Sequence, residues 1–144
     1  MTVQIKPEET LVVLDNAFAK AIYYKTQTTL LCELKDKFIP FQEFKTLLTT
    51  LGEFVKENSV SKFILDKRNL KVFDQPAMTW YHLEWKKEMM AYGLKTYRKL
   101  LPEDKFFRMS VDIGRQRILK EHPEFNFEKY DIQYCETIEE AFEK

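Results

Sequence analysis

Phe63, Ile64 and Leu65 make a short unbroken apolar run that stops abruptly at Asp66, Lys67, Arg68 and Asn69, and few arrangements accommodate both halves. An apolar run without alternation is what a strand covered on both faces requires. A strand of that kind lies in mid-sheet. Where its neighbours are parallel, ligands bind just beyond the strands' carboxyl ends. The polar residues that follow Leu65 therefore fall where a site would stand.

The surrounding periods extend this frame. Leu11 to Leu14, Ala17 to Lys25 and Leu30 to Leu34 read as strands, the last two separated by the polar turn Thr26 to Thr29, which predicts an antiparallel hairpin or meander. The period then changes. Phe41, Phe44, Leu47, Leu48, Leu51, Phe54 and Val55 recur at three- and four-residue steps, predicting an amphipathic helix with Pro40 in its first turn and Asn58 at its end. A second helix is expected from about Gln75 to Tyr92, stopped by Gly93, followed by a strand over Leu94 to Leu101. Pro102-Glu103-Asp104 opens a helical stretch with Phe106, Phe107 and Met109 inward, and Ser110 caps a further helix to about Glu121. Asp131 to Cys135 alternates as a last strand, and Thr137-Ile138-Glu139-Glu140 is a capping box for a terminal helix. Strands followed by alternating helix and strand predict an α/β fold, a mixed sheet with parallel neighbours and crossover helices, as one domain over residues 1–144.

Charge narrows the partners. With 23 basic and 23 acidic residues the formal charge is zero, which argues against a nucleic-acid binder that works by neutralising phosphates, and against an anionic membrane surface. The first residues lack an apolar core of signal-peptide length and no window reaches a membrane span, so a cytoplasmic protein is expected. Cys32 and Cys135 lie in apolar alternating stretches and read as reduced core thiols; a disulfide between them would require adjacent strands. Only Gly52, Gly93 and Gly114 are glycine, so no phosphate-cradling loop is present, and neither metal-ligand spacing nor a nucleophile elbow occurs. No cofactor or metal is expected.

Several residues carry two readings. Asp66 and Arg68 stand two apart at a strand end and point the same way, either to orient a bound carboxylate or phosphate or as a structural ion pair that pins the loop. His82 could act as a general base, or could simply pack. The second helix has an apolar excess: Met78, Tyr81, Trp85, Met89 and Tyr92 form one stripe, and Trp80, Leu83 and Met90 a second, which must meet a neighbouring helix, a ligand cavity or another copy of the chain. The run Lys95, Arg98, Lys99 reads as a solvated strand end rather than a nucleic-acid face.

The segment from Phe63 to Met78, FILDKRNLKVFDQPAM, resembles the centre of the STAS fold of anti-sigma-factor antagonists, and the element order over about Thr10 to Phe142 looks like the SpoIIAA-like, STAS/SEC14 type of bacterial protein. Asp74 matches the family aspartate that precedes the next helix, while Gln75 and Pro76 occupy the two serine positions and Ala77 the glycine. The resemblance implies a STAS-like scaffold without the phosphorylatable hydroxyl of the family's switch. It leads to a non-catalytic interaction or regulatory module, a homodimer through the helix around Trp80 to Met90, with Asp66, Arg68, Asn69, Asp74, Trp80, Tyr81, Trp85 and Met89 as ligand or partner candidates. The alternative is a pocket for an apolar or lipid-like small molecule lined by Trp85, Met89 and Phe107 and gated by Asp66 and Arg68. A third is an enzyme using His82 with Asp66, which requires both in one cleft.

Overall fold

Six strands build one mixed sheet in sequence order, β1 (Thr10–Asp15), β2 (Ala19–Tyr24), β3 (Thr29–Leu34), β4 (Lys62–Asp66), β5 (Thr96–Leu100) and β6 (Asp131–Tyr134). The computed structural model describes residues 9–144; the expectations placed on residues 1–8, within the single domain and as the start of the chain, lie outside them. β1, β2 and β3 pair antiparallel and β3 to β6 pair parallel, the mixed α/β sheet with an N-terminal meander that the sequence predicts. β4 lies between β3 and β5, with Phe63, Ile64 and Leu65 all buried.

Each parallel step carries a helical crossover. α1 (Phe41–Glu57) joins β3 to β4, a helix from Gln75 to Met90 joins β4 to β5, and α4 (Lys105–Glu121) joins β5 to β6. The middle one is built from α2 (Gln75–Trp80), a π-helical turn (Tyr81–Trp85) and α3 (Lys86–Met90), and is called the second helix here. α5 (Ile138–Glu143) closes the described chain. The two faces of the sheet are covered unequally. Phe63, Leu65 and Tyr97 look into the large core under the crossover helices, together with Leu47, Leu48, Leu51, Trp85 and Met89. Ile64, Leu100 and Cys135 look the other way, into a small cluster completed by Ala141 with Ile138 and Phe142 of α5.

Local chemistry accounts for the helix ends. Thr137 Oγ1 accepts the amide of Glu140 at 3.1 Å, and Glu140 reaches back to the amide of Glu136, the two halves of a capping box shifted by one residue at its return contact. Gly93 has φ of 91°, a left-handed conformation that ends the second helix at low cost for glycine alone. Pro40 is the N-cap of α1 and not a first-turn residue.

Two further expectations are corrected here, and the reading of the cysteines as reduced core thiols holds. Residues 105–121 are one helix, because the Ser110 hydroxyl donates back to the Phe106 carbonyl at 2.8 Å and does not cap a new start. Of the residues expected inward, Phe107 is buried but Phe106 and Met109 are 79% and 57% exposed. The buried stripe runs instead through Phe107, Val111, Gly114 and Ile118. A methyl group on Gly114 would lie 2.6 Å from Oε1 of Gln75 and 3.1 Å from the sulfur of Met78, so α4 lies close to the second helix at this point of the stripe. Cys32 and Cys135 are buried and free, on β3 and just after β6, with two strands between them; the adjacency a disulfide requires is not met.

Candidate functional site

The polar residues beyond β4 are held by one another and by backbone. Arg68 donates from Nε and Nη2 to the two carboxylate oxygens of Asp66 at 3.0 and 2.8 Å, and its amide donates to Oδ1 at 3.1 Å. Asp66 is buried and pairs in register with Leu100, so it shares the α5 face of the sheet with Ile64. A bidentate pair of this kind fixes the turn. Asn69 Nδ2 donates to the Leu34 carbonyl at 3.0 Å, tying the turn to β3. Asp74 accepts the amide of Ala77 at 3.1 Å as the N-cap of α2, with Pro76 in the first turn.

The second helix changes pitch at Tyr81–Trp85. π-helical turns rotate the following residues and occur often at functional sites. Tyr81 with Trp85, and His82 with Lys86, are one turn apart and all four are buried, as are Met78 and Met89. Trp85 Nε1 donates to the Leu48 carbonyl at 2.6 Å, and its ring lies 5.2 Å from Phe63. Trp80 is half-buried, packing on Phe41 and Phe44 of α1 at 6.2 and 6.4 Å between ring centres. The apolar excess of this helix thus meets α1 and the sheet: Tyr81, Trp85 and Met89 are interior. His82 is interior too and lies on the face opposite Asp66, so the two are not in one cleft.

What converges on the helix-covered face is a set of cations. β5 continues from Tyr97 to Lys99 on that face, and Lys67, whose amide donates to the Leu100 carbonyl at 2.8 Å, stands beside it beyond the end of β4. Lys86 and His82 descend from the second helix and Arg115 from α4, its guanidinium 4.4 Å from the centre of Phe127. Lys86 is 1%, His82 3% and Lys99 7% exposed. Among the described residues, Lys67, Lys86, Lys99 and Arg115 have no side-chain hydrogen bond or ion pair, and Nδ1 of His82 has no hydrogen-bond partner. Lys86 instead lies 4.4, 4.8 and 5.8 Å from the ring centres of Tyr97, Tyr81 and Tyr130, and Lys99 is 4.3 Å from that of Tyr134. A cation over a ring gains about 0.5–2 kcal/mol, whereas removing an ammonium from water costs several. The rings offset only part of the burial.

The proton affinities follow from this imbalance. Burial, reinforced by the charges of Lys67 and Arg115 and opposed by Asp112, pushes Lys99 down to about 6. Burial pushes Lys67 down to about 8. Burial, then Lys99, Lys67 and Arg115, hold Lys86 well below the ordinary lysine range. The same pressures, with Lys86 the largest of the charges, hold His82 well below the ordinary histidine range.

Adjoining this cluster is a narrow apolar cavity of about 40 Å³ at the ends of β3 and β4. Leu34, Ile39, Phe44, Leu70, Met78 and Phe107 line it, with Lys67 and Asp74 as its charged groups. Lys67 and Tyr81 line both spaces. Phe107 was expected in such a pocket; Trp85 and Met89 do not line it and Asp66 and Arg68 are not at its walls.

Comparison with known protein families finds no match, and comparison with curated proteins finds no significant relative. The site is therefore known by its geometry. The polar turn follows the end of β4 as the sequence predicts, whereas Arg98 and Lys99, expected at a solvated strand end, are both buried. The available signal was alternation, since Tyr97, Lys99 and Leu101 fall on one side of an interior strand and Arg98 and Leu100 on the other. Among the described residues no helix is long and apolar enough to cross a membrane, and no group of three or more His, Cys, Asp or Glu is placed to hold a metal.

Proposed function

We propose that this chain is a non-catalytic module of STAS-like architecture that acts by binding a small, largely apolar molecule at the carboxyl ends of β3 and β4. The observation that carries the reading is the cavity beside Asp74 and the start of the second helix, apolar on nearly every wall and given one polar handle by Lys67. The N-terminal meander followed by three crossover helices supports the STAS-like layout. In that layout Gln75 and Pro76 stand where the family carries hydroxyls, so occupancy of the cavity replaces phosphorylation as the signal. Buried, non-adjacent Cys32 and Cys135 suit a reducing, cytoplasmic setting.

At about 40 Å³ the cavity holds little more than a water, so a ligand enters only as its walls part. Met78 is suited to this, because an unbranched thioether side chain repacks readily. Native mass spectrometry of freshly purified protein, with thermal shift across a panel of neutral medium-chain alcohols, tests the reading. A bound species or a saturable rise in midpoint is expected, and Ala77→Val, which adds bulk at the cavity wall, removes it. No bound species and no shift across the panel would dismiss the reading.

A second reading, self-association, is favoured by a different observation. Phe106, Met109 and Ile113 stand exposed at helical spacing on α4, with Val72 exposed on the loop beside its start. The contact surface would then be α4, since the second helix is largely interior. Sedimentation velocity over a concentration series distinguishes the cases; a monomer throughout, unaltered by Ile113→Lys, removes the homodimer.

A further inference from the structure

Apart from Lys67, which lines both spaces, the apolar cavity leaves the neighbouring cations unused. Five basic side chains reach one region from four directions: Lys67 beyond β4, Lys99 from β5, His82 and Lys86 from the second helix and Arg115 from α4. Among the described residues, the other groups facing them are the rings of Tyr81, Tyr97, Tyr130, Tyr134 and Phe127, Asp112, whose charge acts on Lys99, and Asp74, which shares the apolar cavity with Lys67. Burial without a counter-charge is what buried basic residues normally avoid.

We propose that this cluster is a binding site for a small oxyanion, a phosphate or a carboxylate group, admitted past Tyr134 at the rim of the parallel strands. Four observations carry it. Lys67 and Lys99 stand at the carboxyl ends of β4 and β5, where open α/β sheets take ligands, and Lys86 reaches the same face over Tyr97, nearer the start of β5. The ammonium groups have rings beside them but no acceptor, so an anion would provide the hydrogen bonds and charge that they lack. Nδ1 of His82, 3% exposed, likewise has no partner and is held among the cations. His82 and Lys86 stand one helical turn apart on the second helix and so share this face. A polyanion such as nucleic acid is too large for a buried cluster, and a cation is repelled by it.

Protonation should be linked to occupancy. An anion restores the proton affinity of the lysines around it, so binding takes up protons near neutral pH, and affinity falls as pH rises from about 6 to about 9. The groups that set this window are Lys67, Lys86, Lys99, His82, Arg115 and Asp112, with Tyr81, Tyr97, Tyr130 and Tyr134 protonated throughout it.

The deciding experiment is isothermal calorimetry and thermal shift with inorganic phosphate and, separately, succinate, each against chloride at matched ionic strength. A saturable response to phosphate alone assigns a phosphate group, to succinate alone a carboxylate, and to both an oxyanion of either kind. Binding should take up protons in calorimetry repeated in two buffers of different ionisation enthalpy. Lys86→Met and Lys99→Met should each weaken it by roughly tenfold or more, while Lys95→Met, at an exposed lysine before β5, leaves it unchanged. No saturable response to either probe, or a response equal in the Lys86→Met and Lys99→Met proteins, overturns the proposal. Should Lys86→Met not fold, Lys99→Met at the rim and the comparison of phosphate with chloride on the unaltered chain decide alone. A neutral alcohol that binds while both anions fail would leave the proposed function standing and remove this inference by itself.

Discussion

Arg98 and Lys99 are consecutive residues of β5, both buried, and they leave the sheet on opposite faces with opposite fates. On the α5 face, Arg98 donates to the carbonyls of Tyr97 and Asp131 at 2.9 and 2.8 Å, to the Asp131 carboxylate at 3.0 Å and to the Lys144 backbone oxygen at 2.7 Å, leaving only Nε without a partner. Lys62 supports the same helix end, donating to the carbonyls of Ala141 and Phe142 at 2.9 Å. These cations meet the negative end of the α5 dipole. On the crossover-helix face Lys99 has one ring at 4.3 Å and no acceptor. The contrast separates two uses of a buried charge. One is consumed in holding the fold together; the other remains unspent, as a binding group must.

The largest effect expected from this contrast is on the α5 face. Arg98→Met should cost about 3 kcal/mol, because three backbone oxygens lose a donor at roughly 1–3 kcal/mol for each one left buried. Urea denaturation with an unchanged m-value measures it; a loss below experimental error would show that Arg98 is as idle as Lys99.

The next is a pH dependence on the other face. The unfolded chain keeps its lysines protonated to about pH 10.4, whereas the folded chain releases protons from Lys99 near 6 and Lys67 near 8. The unfolded state therefore binds more protons across that range, and stability should rise between pH 7 and 9, with Lys99 contributing about twice as much as Lys67. Lys99→Met should flatten the rise. Asp131, held below its usual range first by its hydrogen bond from Arg98, acts in a separate acidic window: its contribution is present above the unfolded value and is lost as pH falls through the lower folded one. A flat profile from 7 to 9 would mean that water reaches the lysines.

Lys86→Met sharpens the comparison by sign. An apolar side chain of similar length relieves the burial of an uncompensated ammonium, so stability should increase by about 1 kcal/mol, net of the lost ring contacts. A decrease in chemical-denaturation midpoint would make Lys86 a structural residue like Arg98. The smallest change is Asp74→Ala, which removes the cap of the helix that carries Lys86 and should cost about 1 kcal/mol by the same measurement.

Much of the scaffold was legible because it depends on near neighbours in the chain. The apolar run of Phe63 to Leu65, the three-and-four spacing of α1 and the capping signal at Thr137 are local patterns, and each became the element it predicts. The turn at Asp66 was also legible: a carboxylate and a guanidinium two residues apart close on each other with little dependence on the rest of the molecule. The face of α4 was not. Phe106 and Phe107 are adjacent and equally apolar, and the packing of α4 against the loop and helix after β4, where Phe107 meets Phe73 and Gly114 nears Gln75, covers only Phe107. The cation cluster was hidden for a similar reason, since its members are spread from Lys67 to Arg115 and only the packed helices and strands bring them to one face.

The sequence by itself determined the order and type of the elements, the mid-sheet place of β4 and the polar rim beyond it, because periodicity, capping and turn chemistry act over a few residues. Only the tertiary structure decided which charges are satisfied. Parallel pairing sets Lys67 beside Lys99, and helix packing lays Lys86 and Arg115 over them, whereas α5 supplies Arg98 with acceptors. A charge acquires its energetic meaning from the solvent it loses and the partners it finds, and both are properties of the folded molecule.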